Sequence, residues 1–146
     1  MGQTDSSSAV TDGDTPVVRQ PHLLDAGPPP RLRGHHCPTC GHTFFPPDPF
    51  ACERCGTEAS DLRDTQLAAT GTIRAAATVH RHHHPSPETP FTVAVIELDD
   101  GPVLKSVVVD GSDSDVGARV EGILVPSAVE EEKVDLRFRL EIGSDR

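Results

Sequence analysis

Four cysteines carry the most specific chemical signal in this sequence. Cys37 and Cys40, then Cys52 and Cys55, form two Cys-x-x-Cys pairs within HHCPTCGHTFFPPDPFACERCG (residues 35–56), and eleven residues separate the pairs. Such a pair on a tight turn presents two sulfurs to one ion, and thiolates suit tetrahedral zinc. Gly41 and Gly56 each follow the second cysteine of a pair. Glycine there lets the backbone turn closely and aim its amides at sulfur. The pattern reads as a zinc ribbon. Four thiolates close the coordination shell and leave no position for a reactive water, so the metal holds the chain rather than doing chemistry. Three other uses of the thiols fit less well. Disulfides need an oxidising compartment, and nothing indicates secretion. A redox pair needs one motif in a βαβ setting, not two matched ones. Iron also accepts a tetrahedral four-sulfur cage and stands as the alternative metal. His35 and His36 abut the first pair, but four thiolates already complete the site.

A second concentration of metal-type side chains is VHRHHHPSPETP (79–90), with His80, His82, His83 and His84. Pro85, Pro87 and Pro90 follow, and no carboxylate sits at a helical spacing to build a firm site, so an exposed loop is expected. His80 and Arg81 lie at a strand end beside that loop, where OB barrels commonly take ligands. The chain has no Gly-x-Ser-x-Gly, Ser-x-x-Lys or phosphate-binding glycine loop, so no nucleophile motif is present. The run Glu130–Glu132 reads as a solvated turn.

Composition narrows the partners. The 146 residues carry a formal charge of −10, the reverse of what neutralising phosphate backbones requires. The aromatic stripe that stacks single-stranded bases is missing, because residues 64–143 hold only Phe91 and Phe138. Nucleic acid is therefore not expected as a partner. No run approaches 18 apolar residues, so no membrane-spanning helix is expected. The start MGQTDSSSAVTDGDTP has no basic and no apolar signal region. It matches the loose myristoylation pattern, but no polybasic stretch supports anchoring. A cytoplasmic protein with reduced cysteines is the expectation.

The surrounding elements must position these groups. Residues 1–20 are polar and acidic and are expected to be disordered. Residues 21–34 read as a tether or short helix, because Pro28, Pro29 and Pro30 stop a helix begun at Leu23 and Leu24. Residues 35–60 form the ribbon. From residue 64 to 143 the pattern becomes strands. GTIRAAATVH (71–80) places Ile73, Ala75, Ala77 and Val79 on one face, and FTVAVIEL (91–98) is apolar on both. DDGP then turns into VLKSVVVD (103–110), and ARVEGILV (118–125) is a fourth strand. KVDLRFRLEI (133–142) alternates Val134, Leu136, Phe138, Leu140 and Ile142 with charged residues, a half-buried strand of period two. Five strands in this length predict a mainly β chain: a rubredoxin-like ribbon followed by a five-stranded OB-fold barrel.

The order of these pieces resembles a known family. The ribbon, GTIRAAATVHR, PFTVAVIELDDGPVLKSVVVD, VGARVEGILV and the terminal RFRLE strand together look like the domain of unknown function 35 group, the acyl-CoA-associated zinc-ribbon/OB-fold proteins. The similarity covers residues 31–142, and its specific parts are Phe45-Pro46-Pro47, the Gly-Thr-Ile strand opening, the Pro-Phe entry and the Leu-Asp-Asp-Gly turn. The resemblance implies an accessory subunit without catalytic residues of its own. It implies assembly into a hetero-oligomer with a thiolase-like enzyme, the preferred partner, or with a hot-dog-fold (MaoC-like) enoyl-CoA hydratase. It implies that the chain helps bind or channel acyl-CoA. Carried onto this sequence, structural zinc falls to Cys37, Cys40, Cys52 and Cys55. Arg33, Phe45, His80 and Arg81 are the expected groove residues, with the arginines facing CoA phosphates. The competing expectations are an OB-fold nucleic-acid module and a stand-alone acyl-CoA enzyme using His80 as a base.

Overall fold

The computed structural model describes residues 16–81, 83 and 89–141. Two sheets account for nearly all of its regular structure, and no α-helix occurs among the described residues. The first sheet carries the cysteines. Its central strand β2 (Arg31–His36) pairs antiparallel with β1 (Leu24–Asp25) and β3 (Thr43–Phe44) along one edge. Along the other edge β2 pairs over all six residues with β4 (Arg63–Ala68), from Arg31↔Ala68 to His36↔Arg63. A single 3-10 turn, Ala59–Asp61, leads into β4.

This sheet starts earlier and ends later than the cysteine spacing suggests. The end of the tether, RLRG (31–34), opens strand β2, whose inward positions are Leu32 and Gly34, with Arg31 and Arg33 exposed. Only one large apolar side chain marks that alternation, and three prolines precede it. The stretch read as a possible short helix is one turn instead: the Leu23 and Leu24 amides both donate to the Gln20 carbonyl, at 2.9 and 3.0 Å. Residues 1–15 of the segment expected to be disordered lie outside the described residues. Residues 16–20 are ordered against the barrel, with Val18 bridging Val134 and Arg19 N donating to Val134 O at 3.0 Å.

The second sheet is the barrel. Its strands are β5 (Thr70–Val79), β6 (Phe91–Leu98), β7 (Val103–Val108), β8 (Arg119–Pro126) and β9 (Val134–Leu140). They close in the order β9-β7-β6-β5-β8. Four of the five neighbour pairs are antiparallel. The β7–β9 pair is parallel and is made at a single point, Phe138↔Val108. That return of the last strand beside the third is the OB arrangement.

Alternation sets the core. Thr92, Ala94, Ile96 and Leu98 of β6 point inward and are buried, and Phe138 of β9 is fully buried between Leu136 and Leu140. The larger apolar side chains among them, Ile96, Leu98 and Phe138, each contribute about 1.5–3 kcal/mol by leaving water. β5 departs from its expected pattern. Ile73 is buried, but Ala75 and Ala77 are exposed and Ala76 packs on the core instead. The register shifts between Ile73 and Ala75, so Arg74 is an inserted residue that moves every later side chain to the opposite face. The core does not stop at the barrel: Leu32 and Leu67 of the ribbon sheet join the same cluster. The ribbon is thus packed on the barrel, not strung from it.

Candidate metal centre and the ribbon–barrel cavity

The two cysteine turns are near copies. In the first, Cys37 N donates to His42 O at 2.8 Å and Gly41 N to Cys37 O at 2.8 Å. In the second, Cys52 N donates to Thr57 O at 2.7 Å and Gly56 N to Cys52 O at 3.0 Å. Gly41 and Gly56 have φ of 81° and 85°, a left-handed conformation that a side chain disfavours. The turns bring all four sulfurs within 4.8 Å of one another. Cys37 Sγ lies 3.6 Å from Cys55 Sγ, and Cys40 Sγ 3.8 Å from Cys52 Sγ. A tetrahedron of Zn–S bonds of ~2.3 Å has edges of about 3.8 Å, so the four thiols fit one zinc-sized ion.

Donors around the sulfurs prepare them for a cation. The Arg54 amide points at Cys52 Sγ at 3.4 Å, and the Thr57 hydroxyl lies 3.1 Å from Cys55 Sγ. Burial pushes the Cys37 thiol up, but hydrogen bonds led by the Cys40 amide outweigh it and bring its pKa to about 6. The His42 amide lowers Cys40, yet burial and the three neighbouring sulfurs prevail and raise it to about 11. Cys55 is lowered, chiefly by the Thr57 hydroxyl. Four sulfurs this close cannot all lose their protons without a cation between them.

Side chains outside the cage brace it. His42 Nε2 meets Glu53 Oε2 at 2.7 Å, tying one turn to the other, and the His42 ring stacks on buried Phe44. Asp48 accepts the Phe50 and Ala51 amides at 2.7 and 3.1 Å, which lowers its pKa and shapes the entry to Cys52. His35 lies edge-on to Phe44 with Nε2 3.3 Å from Asp64, and His36 Nδ1 is 2.8 Å from the Thr43 hydroxyl. Among the described residues the metal-type cluster consists of the four cysteines, and neither histidine joins it. The Thr57 and Glu53 contacts escape a sequence reading because no spacing rule covers them.

A cavity of about 390 Å³ lies where the ribbon meets the barrel. Its apolar lining comes from Leu32 and Phe45 of the ribbon and Leu104 and Leu136 of the barrel, and the Gln20–Leu24 turn covers it. The opening falls in the seam between β7 and β9, which pair only at Phe138↔Val108. Of the expected groove residues, Phe45 lines this cavity. Arg33 lines a separate cleft of about 240 Å³ with His22 and Gln66, and reaches Asp25 at 3.3 Å. His80 and Arg81 follow the far end of β5, about 30 Å of strand from the ribbon end at Thr70. They line neither cavity. His82 and His84 of the histidine tract lie outside the described residues. Phe138, one of the two barrel aromatics, is wholly buried and cannot stack a base.

A closed five-stranded barrel packed behind a four-cysteine ribbon defines a zinc-ribbon/OB-fold protein, and the comparisons agree. Residues 24–61 match the rubredoxin-like zinc ribbon domain of ChsH2, and residues 64–125 match its C-terminal OB-fold domain. The chain belongs to the DUF35-type zinc-ribbon/OB-fold family. It is 27% identical over 95 residues to a "DUF35 domain-containing scaffold protein" of Methanocaldococcus jannaschii, covering 63% of this chain and 66% of that one. It is 34% identical over 71 residues to a "Probable enoyl-CoA hydratase alpha subunit" of Thermomonospora curvata, covering 49% of this chain but 21% of the relative. The chain therefore spans about a fifth of one curated relative and under two thirds or so of the other. Among solved structures, the "Ltp2-ChsH2(DUF35) aldolase" superposes with a TM-score of 0.61 at 28% identity, over 75% of this chain and 84% of that one. A DUF35 protein of unknown function from Sulfolobus solfataricus shares the fold at a TM-score of 0.52 and 16% identity, over 76% of each chain. No helix of the described residues is long and apolar enough to cross a membrane.

Proposed function

We propose that this chain is a non-catalytic, zinc-containing accessory subunit of an acyl-CoA-processing complex. In this reading it binds or channels the acyl-CoA for a thiolase-like enzyme or a MaoC-like enoyl-CoA hydratase. The observation that carries the reading is the match along most of the chain to the DUF35 component of an aldolase assembly. A second relative is named as a hydratase subunit and a third as a scaffold, which supports a role exercised through partners. The site chemistry is consistent with it. Zinc held by Cys37, Cys40, Cys52 and Cys55 would be fully coordinated and would supply structure, not a Lewis acid. The cavity beside Phe45 gives the acyl portion an apolar surface within the usual size of a ligand pocket.

The test is a native pull-down of the tagged chain, with bound metal and co-purifying proteins identified by mass spectrometry. One zinc per chain together with a thiolase-like or hydratase protein is the expected result. A chain recovered alone, or with nucleic acid, overturns the accessory role and leaves the fold intact.

A further inference from the structure

The cations of the barrel strands divide into two groups. Arg74 pairs with Glu97, Arg119 with Asp99 and Glu141, and Arg139 with Glu121. Lys105 of β7 and Arg137 of β9 are the two that have no carboxylate partner among the described residues. The two line the same cavity, and the one side-chain bond that Arg137 makes is to the Leu136 carbonyl, at 2.8 Å. Strand alternation explains their placement. Leu104, Leu136 and Phe138 face the core, so Lys105 and Arg137 stand on the outer face of strands that flank the seam. Arg19 also lines the cavity, but Asp135 neutralises it at 2.8 Å. The result is an apolar hollow with a doubly cationic rim on a strongly acidic protein.

We propose that this seam cavity binds an amphipathic anion, with its apolar chain against Phe45, Leu104 and Leu136 and its anionic group held by Lys105 and Arg137. The inference rests on the acyl-CoA reading and deepens it, because it assigns the anion contacts to residues on β7 and β9. Long flexible side chains on adjacent strands can converge on one oxyanion. Arg137 offers a planar fork of donors and Lys105 a point charge. A free fatty carboxylate joins an apolar chain directly to an oxyanion, whereas an acyl-CoA carries its anionic phosphates at the far end of the apolar-to-polar pantetheine arm, so both are amphipathic anions with different spacing between chain and charge.

Calorimetric titration of octanoate, octanoyl-CoA and free coenzyme A into the zinc-loaded full chain tests this. Binding of octanoate identifies a carboxylate-terminated ligand. Binding of octanoyl-CoA without octanoate identifies the phosphates. Either supports the proposal if Lys105→Gln and Arg137→Gln each weaken binding about tenfold, as loss of a charge-assisted contact implies. Arg63→Gln, which removes an unpaired cation remote from the cavity, should leave binding within about twofold, so that net charge alone is not the cause. Zinc content and melting temperature of the variants report their folding. No binding by any probe, equal binding of coenzyme A and octanoyl-CoA, or affinity indifferent to Lys105 and Arg137 overturns the inference. Partner capture in the native pull-down reads the accessory role separately, so either idea can fail while the other stands.

Discussion

Arg119 grips Asp99 with both guanidinium nitrogens, Nη1 to Oδ1 at 2.6 Å and Nη2 to Oδ2 at 2.8 Å. Asp99 belongs to the Leu-Asp-Asp-Gly turn between β6 and β7, and its Oδ2 also accepts the Thr70 hydroxyl at 2.7 Å. The next residue, Asp100, accepts the Ala68 amide at 2.9 Å. Ala68 ends β4 and Thr70 begins β5. The two aspartates therefore clasp the chain where it leaves the ribbon and enters the barrel, and Arg119 fastens that clasp to β8. A turn that sequence reading treats as a hairpin signal is also the joint between the two sheets.

Asp99→Asn should loosen this joint. The hydrogen bond from Arg119 holds the Asp99 pKa at about 2 instead of 3.8, with burial opposing and Thr70 assisting. Both side chains are more than a third exposed, so solvent screening limits the loss to about 1 kcal/mol. The sign follows from the lowered value. The contribution is complete above 3.8 and disappears as the pH falls toward about 2. Melting curves of the two proteins should differ at neutral pH and converge in acid. Circular dichroism or calorimetry is needed, because the chain has no Trp or Tyr. A gap that persists undiminished in acid would mean that the ion pair is not its source.

Gly71→Ala tests the Gly-Thr-Ile strand opening. A Cβ there would lie 2.3 Å from the Glu97 carbonyl oxygen and 3.0 Å from Ile96 Cγ2. The nearest obstacle is backbone of the paired strand, so it cannot be relieved by turning a side chain. A loss of about 2 kcal/mol is expected. It should appear as a lower denaturation midpoint with unchanged slope, and a neutral substitution would show that β5 and β6 can separate.

The legible parts of this molecule were those with a short-range rule. The cysteine spacing locates the cage; a run apolar on both faces, the DDGP turn after it and period-two alternation locate β6, β7 and β9 respectively within two residues of their ends. The ribbon strands β2 and β4 escape because their partners are distant in sequence and their inward faces hold little more than Leu32, Gly34, Thr65 and Leu67. The faces of β5 past Ile73 are misjudged because a bulge at Arg74 leaves no mark in composition. Lys105 and Arg137 could have been found. Their outward parity is visible in VLKSVV and VDLRFRL, and the OB strand order makes the two strands neighbours.

Metal affinity should rise with pH. Zinc takes thiolates, so loading expels whatever protons the cage retains. Cys37, at about 6, is already ionised at neutral pH, whereas Cys40, raised to about 11, must give up its proton to the ion. Native mass spectrometry across a pH series should show one zinc per chain at neutral pH and progressive loss in acid. Cys40→Ser should lose stoichiometric metal at every pH. Retention of a tightly held ion by that variant would show that a ligand outside the four cysteines completes the site.

Arg19 and Asp135 give the sharpest test of the N-terminal segment. Asp135 stands on the outer face of β9, yet its side chain is only 10% exposed, because Arg19 covers it and bonds it at 2.8 Å. The backbone reinforces the contact: Val134 N donates to Val17 O at 2.9 Å. Arg19→Ala leaves a nearly buried carboxylate with its cation removed, which costs about 2–3 kcal/mol. Asp135→Asn leaves a neutral amide and an arginine that can turn to solvent, so it should cost less. The double variant should cost less than the sum of the two, because the second change removes the charge that the first one stranded. Strict additivity in this cycle would mean that residues 16–20 only rest on the barrel. A coupling of about 1 kcal/mol or more would establish the segment as part of the wall that closes the seam between β7 and β9.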